Sequence, residues 1–218
     1  MSFDHGPALL AAASLCVCSC ALLGKSDALT PRYFSPDVSA ARKPVRPASL
    51  RSDQVPPALR LGRVTAAAYL NERIAFRSSN YELSFYEERR WTEKPEAYLR
   101  RALSSSLFEE HGLRRIVSGP GPTLEVELTE FAELRAPSPQ ARVRVTYILY
   151  DQRLVRREAT VSVELPIASS ASQHDAPERA VRAMTEALSA TVTQIVDRVI
   201  VDLESTQPAA SVPGERER

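Results

Sequence analysis

The second half of the chain changes its hydrophobic period from two residues to about 3.6, and this change limits the possible folds. Apolar and polar residues alternate over residues 124–131, 141–150 and 154–166, which is typical of strands with one buried face. From residue 175 onward the apolar residues recur at helical spacing. That stripe comprises Val181, Met184, Leu188, Val192, Ile195, Val199 and Leu203. The pattern predicts a sheet with one face covered by a long helix.

The first half of the chain adds a shorter helix and further strands. Residues 32–35 favour an edge strand, residues 59–67 another strand, and residues 74–77 and 81–90 a hairpin. Pro95 marks the first turn of a helix, because its missing N–H has no partner to lose there. The buried stripe of that helix is predicted to be Tyr98, Leu99, Ala102, Leu103 and Phe108. With a short strand over residues 114–118, the fold class is α+β: a mostly antiparallel twisted sheet with two helices packed on one face.

Charged residues predict two local contacts in this fold. Glu125 and Glu127 point outward from one strand, and Arg142 and Arg144 point outward from the next. We expect these acids and bases to pair across a hairpin. Asp175 is expected to cap the long helix, because Pro177 and Glu178 follow it as in a capping box. Residues 150–153 are expected to form the tight turn before the last strand.

The N-terminal residues predict a lipid-anchored exported protein. Residues 8–24 are apolar but short for a transmembrane helix, and they fit the hydrophobic region of a secretory signal. All three cysteines lie there, and Cys20, which follows the small residue Ser19, is the best candidate for lipidation. An uncleaved membrane anchor and a Cys-x-Cys-x-Cys metal site are the alternatives. No His or acidic residue accompanies the cysteines at ligand spacing.

These features divide the chain into four parts. Residues 1–19 are predicted to be a lipoprotein signal peptide, 20–57 a lipid-anchored Pro-rich tether, 58–204 the α+β domain and 205–218 a disordered tail. The residue after the predicted lipidated cysteine is Ala21 rather than Asp. This favours the periplasmic face of the outer membrane over retention in the inner membrane.

Composition and motifs argue against several functions. The net charge of +1 argues against a nucleic-acid binder, which normally carries a basic excess. The histidines His111 and His174 fall at the ends of predicted elements, and the third, His5, is in the leader. We therefore predict no metal, no cofactor and no catalytic site, and an enzyme is the least favoured class.

Residues 69–91 combine aromatic side chains with arginines more densely than any other stretch. One interpretation is that the aromatic residues belong to the core and the arginines are solvated. The other is a partner-binding face, since arginine and tryptophan often anchor protein interfaces. For that face we predict Arg73, Phe76, Arg77, Arg90 and Trp91.

Short motifs in this order resemble the ABC-type transport auxiliary lipoproteins, the PqiC-type components of MCE (mammalian cell entry) intermembrane lipid-transport systems. The motifs are Arg32-Tyr33-Phe34-Ser35-Pro36, Leu61-Gly62-Arg63-Val64, residues 69–77 and residues 86–95. The resemblance implies a fold similar to the TolB N-terminal domain and an outer-membrane lipid anchor. It also implies a non-catalytic role beside an MCE-domain protein and its ABC permease and ATPase.

Two functions follow from this combination. The first is an adaptor that is fixed to the outer membrane through Cys20 and docks the periplasmic end of the MCE partner. The alternative is a periplasmic lipid-binding carrier that holds an acyl chain between its sheet and helices. The tight alternation of the strands disfavours the carrier, because such a core is filled by its own side chains.

Overall fold

The computed structural model describes residues 30–38, 56–152, 154–169 and 175–205. The predicted signal peptide, Cys20 and almost all of the predicted tail lie outside these residues. The chain forms two compact units, Met1–Thr30 and Pro31–Arg218, and the second contains the sheet and both helices. Part of the predicted tether therefore belongs to the folded unit, since residues 32–34 join the sheet and Val38 is buried.

The second unit has the predicted α+β fold, with two helices on one face of an open twisted sheet. Its elements are β1 Arg32–Phe34, β2 Ala58–Ala66, β3 Arg73–Arg77, β4 Leu83–Trp91, α1 Pro95–Ser104, a π-helical turn Ser105–Glu110, β5 Arg114–Arg115, β6 Pro122–Leu134, β7 Gln140–Asp151, β8 Leu154–Pro166 and α2 Ala176–Glu204. Most predicted elements lie within a few residues of these bounds. The strand predicted over 114–118 contains only two residues. No described helix is both long enough and apolar enough to cross a bilayer.

Strand β6 organises the sheet, because both of its edges pair with other strands. One edge pairs antiparallel with β7, which in turn pairs antiparallel with β8. The other edge pairs in parallel first with β2 and then with β3. Strand β5 lies beyond β2, and β4 and β1 lie beyond β3. The described strands thus make four parallel and three antiparallel pairings, and the antiparallel ones include the longest.

Strands β2 and β3 lie one after the other along β6, and the residues between them loop outward. The N–H of Ala67 still donates to the carbonyl of Leu128, which prolongs the β2 ladder by one bond. The hydroxyl of Tyr69 donates to the carbonyl of Thr129 at 2.7 Å. These bonds satisfy β6 carbonyls at the point where neither strand covers its edge.

The core lies between the helices and the sheet. The stripe predicted for α2 is confirmed, since Met184, Leu188 and Val192 are fully buried and Val181 is partly buried. At the other end of the core, the ring of Trp91 stacks on Phe131 with a centroid distance of 4.9 Å. Other fully buried side chains of the core are Tyr98, Leu99, Leu103, Leu124, Leu128, Val143, Val145 and Leu149.

The predicted charge pairs across the β6–β7 hairpin are wrong. The register places Glu125 opposite Ile148 and Glu127 opposite Thr146. The pairing shifts between Leu128 and Glu130, as at a β-bulge, and Arg144 lies opposite Glu130 instead. An irregularity of this kind leaves no mark in the alternation of either strand, so the prediction chose the wrong acids.

The predicted capping bond at α2 is also absent. Asp175 does precede the helix, but its side chain makes no capping hydrogen bond. Its backbone is already helical, with φ −88° and ψ −1°, whereas a capping residue usually has extended backbone. Glu178 contacts Arg32 of β1 at 3.2 Å instead of closing a capping box.

The burial of Trp91 leads to a stability prediction. Trp91→Ala should lower the free energy of unfolding by about 3–5 kcal/mol, because it removes a large buried ring and leaves a cavity. Tyr81→Ala is the matched aromatic control, since Tyr81 is 98% exposed, and it should change stability by less than about 0.5 kcal/mol. Urea unfolding followed by circular dichroism measures both. Equal effects of the two substitutions would contradict the placement of Trp91.

Candidate functional site

The structure does not bring the five predicted binding residues onto one surface. Trp91 is only 1% exposed and packs in the core, so it is not available to a docking partner. It belongs to the core interpretation of the aromatic stretch. Adjacent strand residues point to opposite faces, so Phe76 and Arg77 separate at β3. Arg73 pairs in register with Arg90.

Phe76 forms part of a cluster at the end of β3, β4 and β6. We name Phe76, Tyr86, Arg89, Glu133 and Arg135 the aromatic–arginine cluster. The rings of Phe76 and Tyr86 lie 4.7 Å apart. The Arg135 guanidinium carbon lies 3.5 Å from the Phe76 centroid, and that of Arg89 lies 3.8 Å from the Tyr86 centroid. The Tyr86 hydroxyl donates to Glu133 at 2.6 Å.

The sheet register explains why these residues meet. Phe76 lies opposite Glu133 in the parallel pairing of β3 and β6. Just beyond the end of β6, the N–H of Arg135 donates to the carbonyl of Arg77. This bond holds Arg135 beside β3, so its guanidinium covers the Phe76 ring. The backbone pairing alone therefore brings these residues close together.

The cluster presents cations on aromatic rings at an accessible surface. Arg135 is exposed, and Phe76, Tyr86 and Arg89 are half-buried. Arg89 faces the carboxylate of Glu133, from which its nearest nitrogen is 4.0 Å away. Stacking restricts the guanidinium groups before a partner arrives, which reduces the entropy lost on binding. Such a surface suits an acidic or aromatic partner.

A buried carboxylate anchors the opposite face of the sheet. Glu130 is 4% exposed and accepts a 2.8 Å hydrogen bond from Nε of Arg77. Arg142 and Arg144 approach the same carboxylate at 3.7 and 3.5 Å, and Arg142 also donates to Glu164 at 2.8 Å. Arg77 is therefore committed to neutralising Glu130, which explains its position without a binding role.

Two tyrosines near these clusters have perturbed acidities. Burial raises the pKa of Tyr86, and its hydrogen bond to Glu133 raises the pKa further. Burial also raises the pKa of Tyr69, with a further rise from the negative charge of Glu130. Both phenols are therefore held neutral and act as hydrogen-bond donors.

Within the ranges that the structure describes, no group of three His, Cys, Asp or Glu side chains lies close enough to hold a metal ion. The ring of His111 lies at the end of the π-helical turn, with Nδ1 2.8 Å from the Ser106 carbonyl oxygen. Glu87 and Glu88 are adjacent exposed residues of β4.

Sequence reasoning missed four members of the cluster. Tyr86 and Arg89 lie inside the dense aromatic stretch, but nothing local distinguishes them from Phe85 or Arg90. Glu133 and Arg135 lie far from that stretch in sequence and join it only through the β3–β6 pairing. Only knowledge of that parallel register would have found them.

A family model described as the ABC-type transport auxiliary lipoprotein component matches residues 40–196, more than two thirds of the chain. The chain belongs to this family. The family is one of lipoproteins that serve as auxiliary components of transport systems, which confirms the resemblance seen in the sequence. Comparison with curated protein sequences gives no significant match.

Solved structures show the same fold at low sequence identity. The DUF330 protein XCC0632 from Xanthomonas campestris superposes with a TM-score of 0.67 at 19% identity, covering 80% of this chain and 98% of that one. The hypothetical protein CT253 from Chlamydia trachomatis gives a TM-score of 0.50 at 11% identity, covering 70% and 100%. The fold is thus shared by chains in which fewer than one fifth of the aligned residues are identical.

The raised pKa of Tyr86 predicts how stability depends on alkaline pH. The folded chain keeps this proton to higher pH than the unfolded chain, whose tyrosine pKa is about 10. The corresponding stabilisation is complete below about pH 10 and is lost as pH rises through the folded-state pKa. Tyr86→Phe should therefore flatten the alkaline decline of the free energy of unfolding. Urea unfolding at a series of pH values measures it, and an unchanged slope would contradict the assignment.

Proposed function

We propose that this protein is a non-catalytic outer-membrane lipoprotein that docks the periplasmic end of an MCE-domain protein. That partner acts with an ABC permease and ATPase in intermembrane phospholipid transport. The family description supports the auxiliary transport role. The observation that carries the docking role is the aromatic–arginine cluster, because it is a preformed surface of the residue types that dominate protein interfaces.

The proposed docking surface differs from the one the sequence predicts. It keeps Phe76 and adds Tyr86, Arg89 and Arg135, while Trp91 is buried in the core. Arg77 is occupied by Glu130 on the other face. Arg73 and Arg90 stay as candidates outside the cluster. The Arg73 guanidinium carbon lies 4.5 Å from the ring centroid of Phe85, which pairs with Ala75 on the face opposite Phe76.

The proposed anchor is a lipid on Cys20, joined to the folded unit by a short spacer. The folded unit begins at Pro31, so about 11 residues at roughly 3.6 Å each give a reach of at most ~40 Å. Two or three acyl chains make release from a membrane slow, whereas one chain holds a protein only marginally. A spacer with this reach can hold the folded unit outside the lipid head groups of the anchoring membrane, but it is too short to span a wide periplasm.

A groove beside α1 favours the periplasmic lipid-binding carrier as a second candidate, although not with the lipid position that the sequence predicts. The space between α2 and the sheet is filled by buried side chains, so an acyl chain has no room there. An arginine-rimmed groove with an apolar floor lies instead beside α1. The two functions are compatible, since an adaptor at the end of a lipid tunnel must also tolerate the lipid that leaves it.

Reversing the charge of Arg135 tests docking. Arg135→Glu should weaken co-purification with the MCE partner by about 30-fold, which corresponds to a hot-spot loss of about 2 kcal/mol. Arg114→Glu is the matched control, because Arg114 is also an exposed arginine and lies on β5, away from the cluster. Equal binding by both variants would reject the docking surface, provided thermal unfolding shows that both are folded.

Replacing Cys20 tests the anchor. The wild-type chain should incorporate labelled palmitate and sediment with outer membranes, and Cys20→Ala should lose both properties. Cys18→Ala is the matched control and should keep both, since Cys18 lies in the part predicted to be removed. Labelling that persists in Cys20→Ala, or outer-membrane sedimentation without it, would reject this anchor.

A further inference from the structure

A groove beside α1 has the size of a ligand site. It lies between β2, α1, the π-helical turn and β5, and its volume is ≈ 380 Å³. Three other depressions lined by described residues measure ≈ 220, 200 and 180 Å³. Pockets that bind small molecules usually measure roughly 300–1,000 Å³, so this groove is near the lower limit.

Three arginines supply all the charge of the groove lining. Arg60 comes from β2, Arg100 from α1 and Arg115 from β5, and no acidic residue lines the groove. Arg100 donates to the Gly62 carbonyl at 3.2 Å, and Arg115 to the Ser104 hydroxyl at 2.7 Å. Both acceptors are neutral, so these bonds position the guanidinium groups without cancelling their charge.

Arg60 adds a donor that lacks a partner. Its Nη2 donates to the carbonyl of Gly119, but its Nε is buried and makes no hydrogen bond. A buried N–H of a charged group that is left unpaired is costly, and such groups normally have a partner. The contrast with Arg77, whose Nε binds Glu130, shows that arginines elsewhere in the sheet are neutralised internally.

Apart from Ser104, the remainder of the lining is apolar. Leu61 and Ile116 are partly buried, and Val117 is 86% exposed at the mouth of the groove. Phe108 is presented by the π-helical turn, and the Arg115 guanidinium carbon lies 4.2 Å from its ring centroid. Charge and apolar surface thus adjoin within one groove, which a simple inorganic anion would not require.

We propose that this groove binds the phosphate head and the first part of the chain of one anionic acyl lipid. The guanidinium groups match phosphate oxygens in geometry and charge, and the apolar floor removes methylene groups from water. The biological role of such a site rests on the proposed lipid-transport function, whereas the evidence for the site is the groove itself. It places the lipid beside α1 rather than between α2 and the sheet.

Binding of a short-chain lysophosphatidic acid below its micelle concentration tests the site. The full-length Cys20→Ala chain needs no detergent and serves as the reference, with affinity measured by calorimetry. Substituting both Arg100→Gln and Arg115→Gln should weaken binding at least about tenfold, because each removes a charged hydrogen-bond donor. Arg114→Gln is the matched control, since it removes the neighbouring β5 arginine outside the groove, and it should bind like the reference.

Other probes separate the parts of the ligand. Inorganic phosphate should bind at least tenfold more weakly than the lysophosphatidic acid, and lysophosphatidylcholine and a short-chain fatty acid should also be weaker. Equal affinity for inorganic phosphate would identify a free-phosphate site and overturn the lipid assignment. Equal affinity for the fatty acid would overturn the phosphate head group, and equal affinity for lysophosphatidylcholine would overturn the requirement for a net negative charge.

Two further variants keep the test decisive. Val117→Asp alters an exposed residue, so it should fold, and it should weaken the lipid more than inorganic phosphate. If the double arginine variant fails to fold, an unchanged lipid affinity of Val117→Asp overturns the proposal. Arg135→Glu should retain full lipid affinity. If Arg135→Glu still binds the MCE partner while the double arginine variant loses the lipid, the docking proposal has failed and the lipid proposal stands. If Arg135→Glu loses the partner while the double arginine variant keeps the lipid, the lipid proposal has failed and the docking proposal stands.

Discussion

The pairing of both edges of β6 is the constraint on which the rest of the fold depends. A strand of this length exposes two rows of backbone donors and acceptors, and each row must be satisfied. β7 completes one row, whereas β2, Tyr69 and β3 complete the other in succession. The sheet forks as a result, with β5 beyond β2 and β4 beyond β3. One branch carries the aromatic–arginine cluster and the other carries the groove.

Local periodicity predicted much of the fold. The stripe of α2 and the alternation of β7 are strong signals, because each element buries one face along most of its length. The alternation of β8 also predicted a strand, although only Val161 and Val163 are buried there. The pairing of strands that are distant in sequence was harder to predict. The parallel contacts of β6 and its irregularity near Thr129 depend on residues distant in sequence. The dense aromatic stretch therefore pointed to the right region, but it suggested Trp91, which is core, and omitted Arg135.

The arginines of this protein serve three physical purposes. Arg77, Arg142 and Arg144 neutralise a carboxylate that the sheet buries. Arg89 and Arg135 lie on aromatic rings, where stacking holds them at an accessible surface. The arginines of the groove have only neutral hydrogen-bond acceptors. The composition alone does not distinguish these groups. A net charge near zero counts the arginines that pair with carboxylates together with those that have only neutral acceptors. The distinction becomes visible only when each guanidinium is matched to its acceptor.

Trp91 has one more consequence, which concerns observation rather than stability. It is the only tryptophan of the chain, and it lies where β4, β6 and α1 meet. Intrinsic fluorescence excited at the indole band therefore comes from a single interior position. Its emission reports on the junction of the sheet with α1 and contains no contribution from solvent-facing indoles.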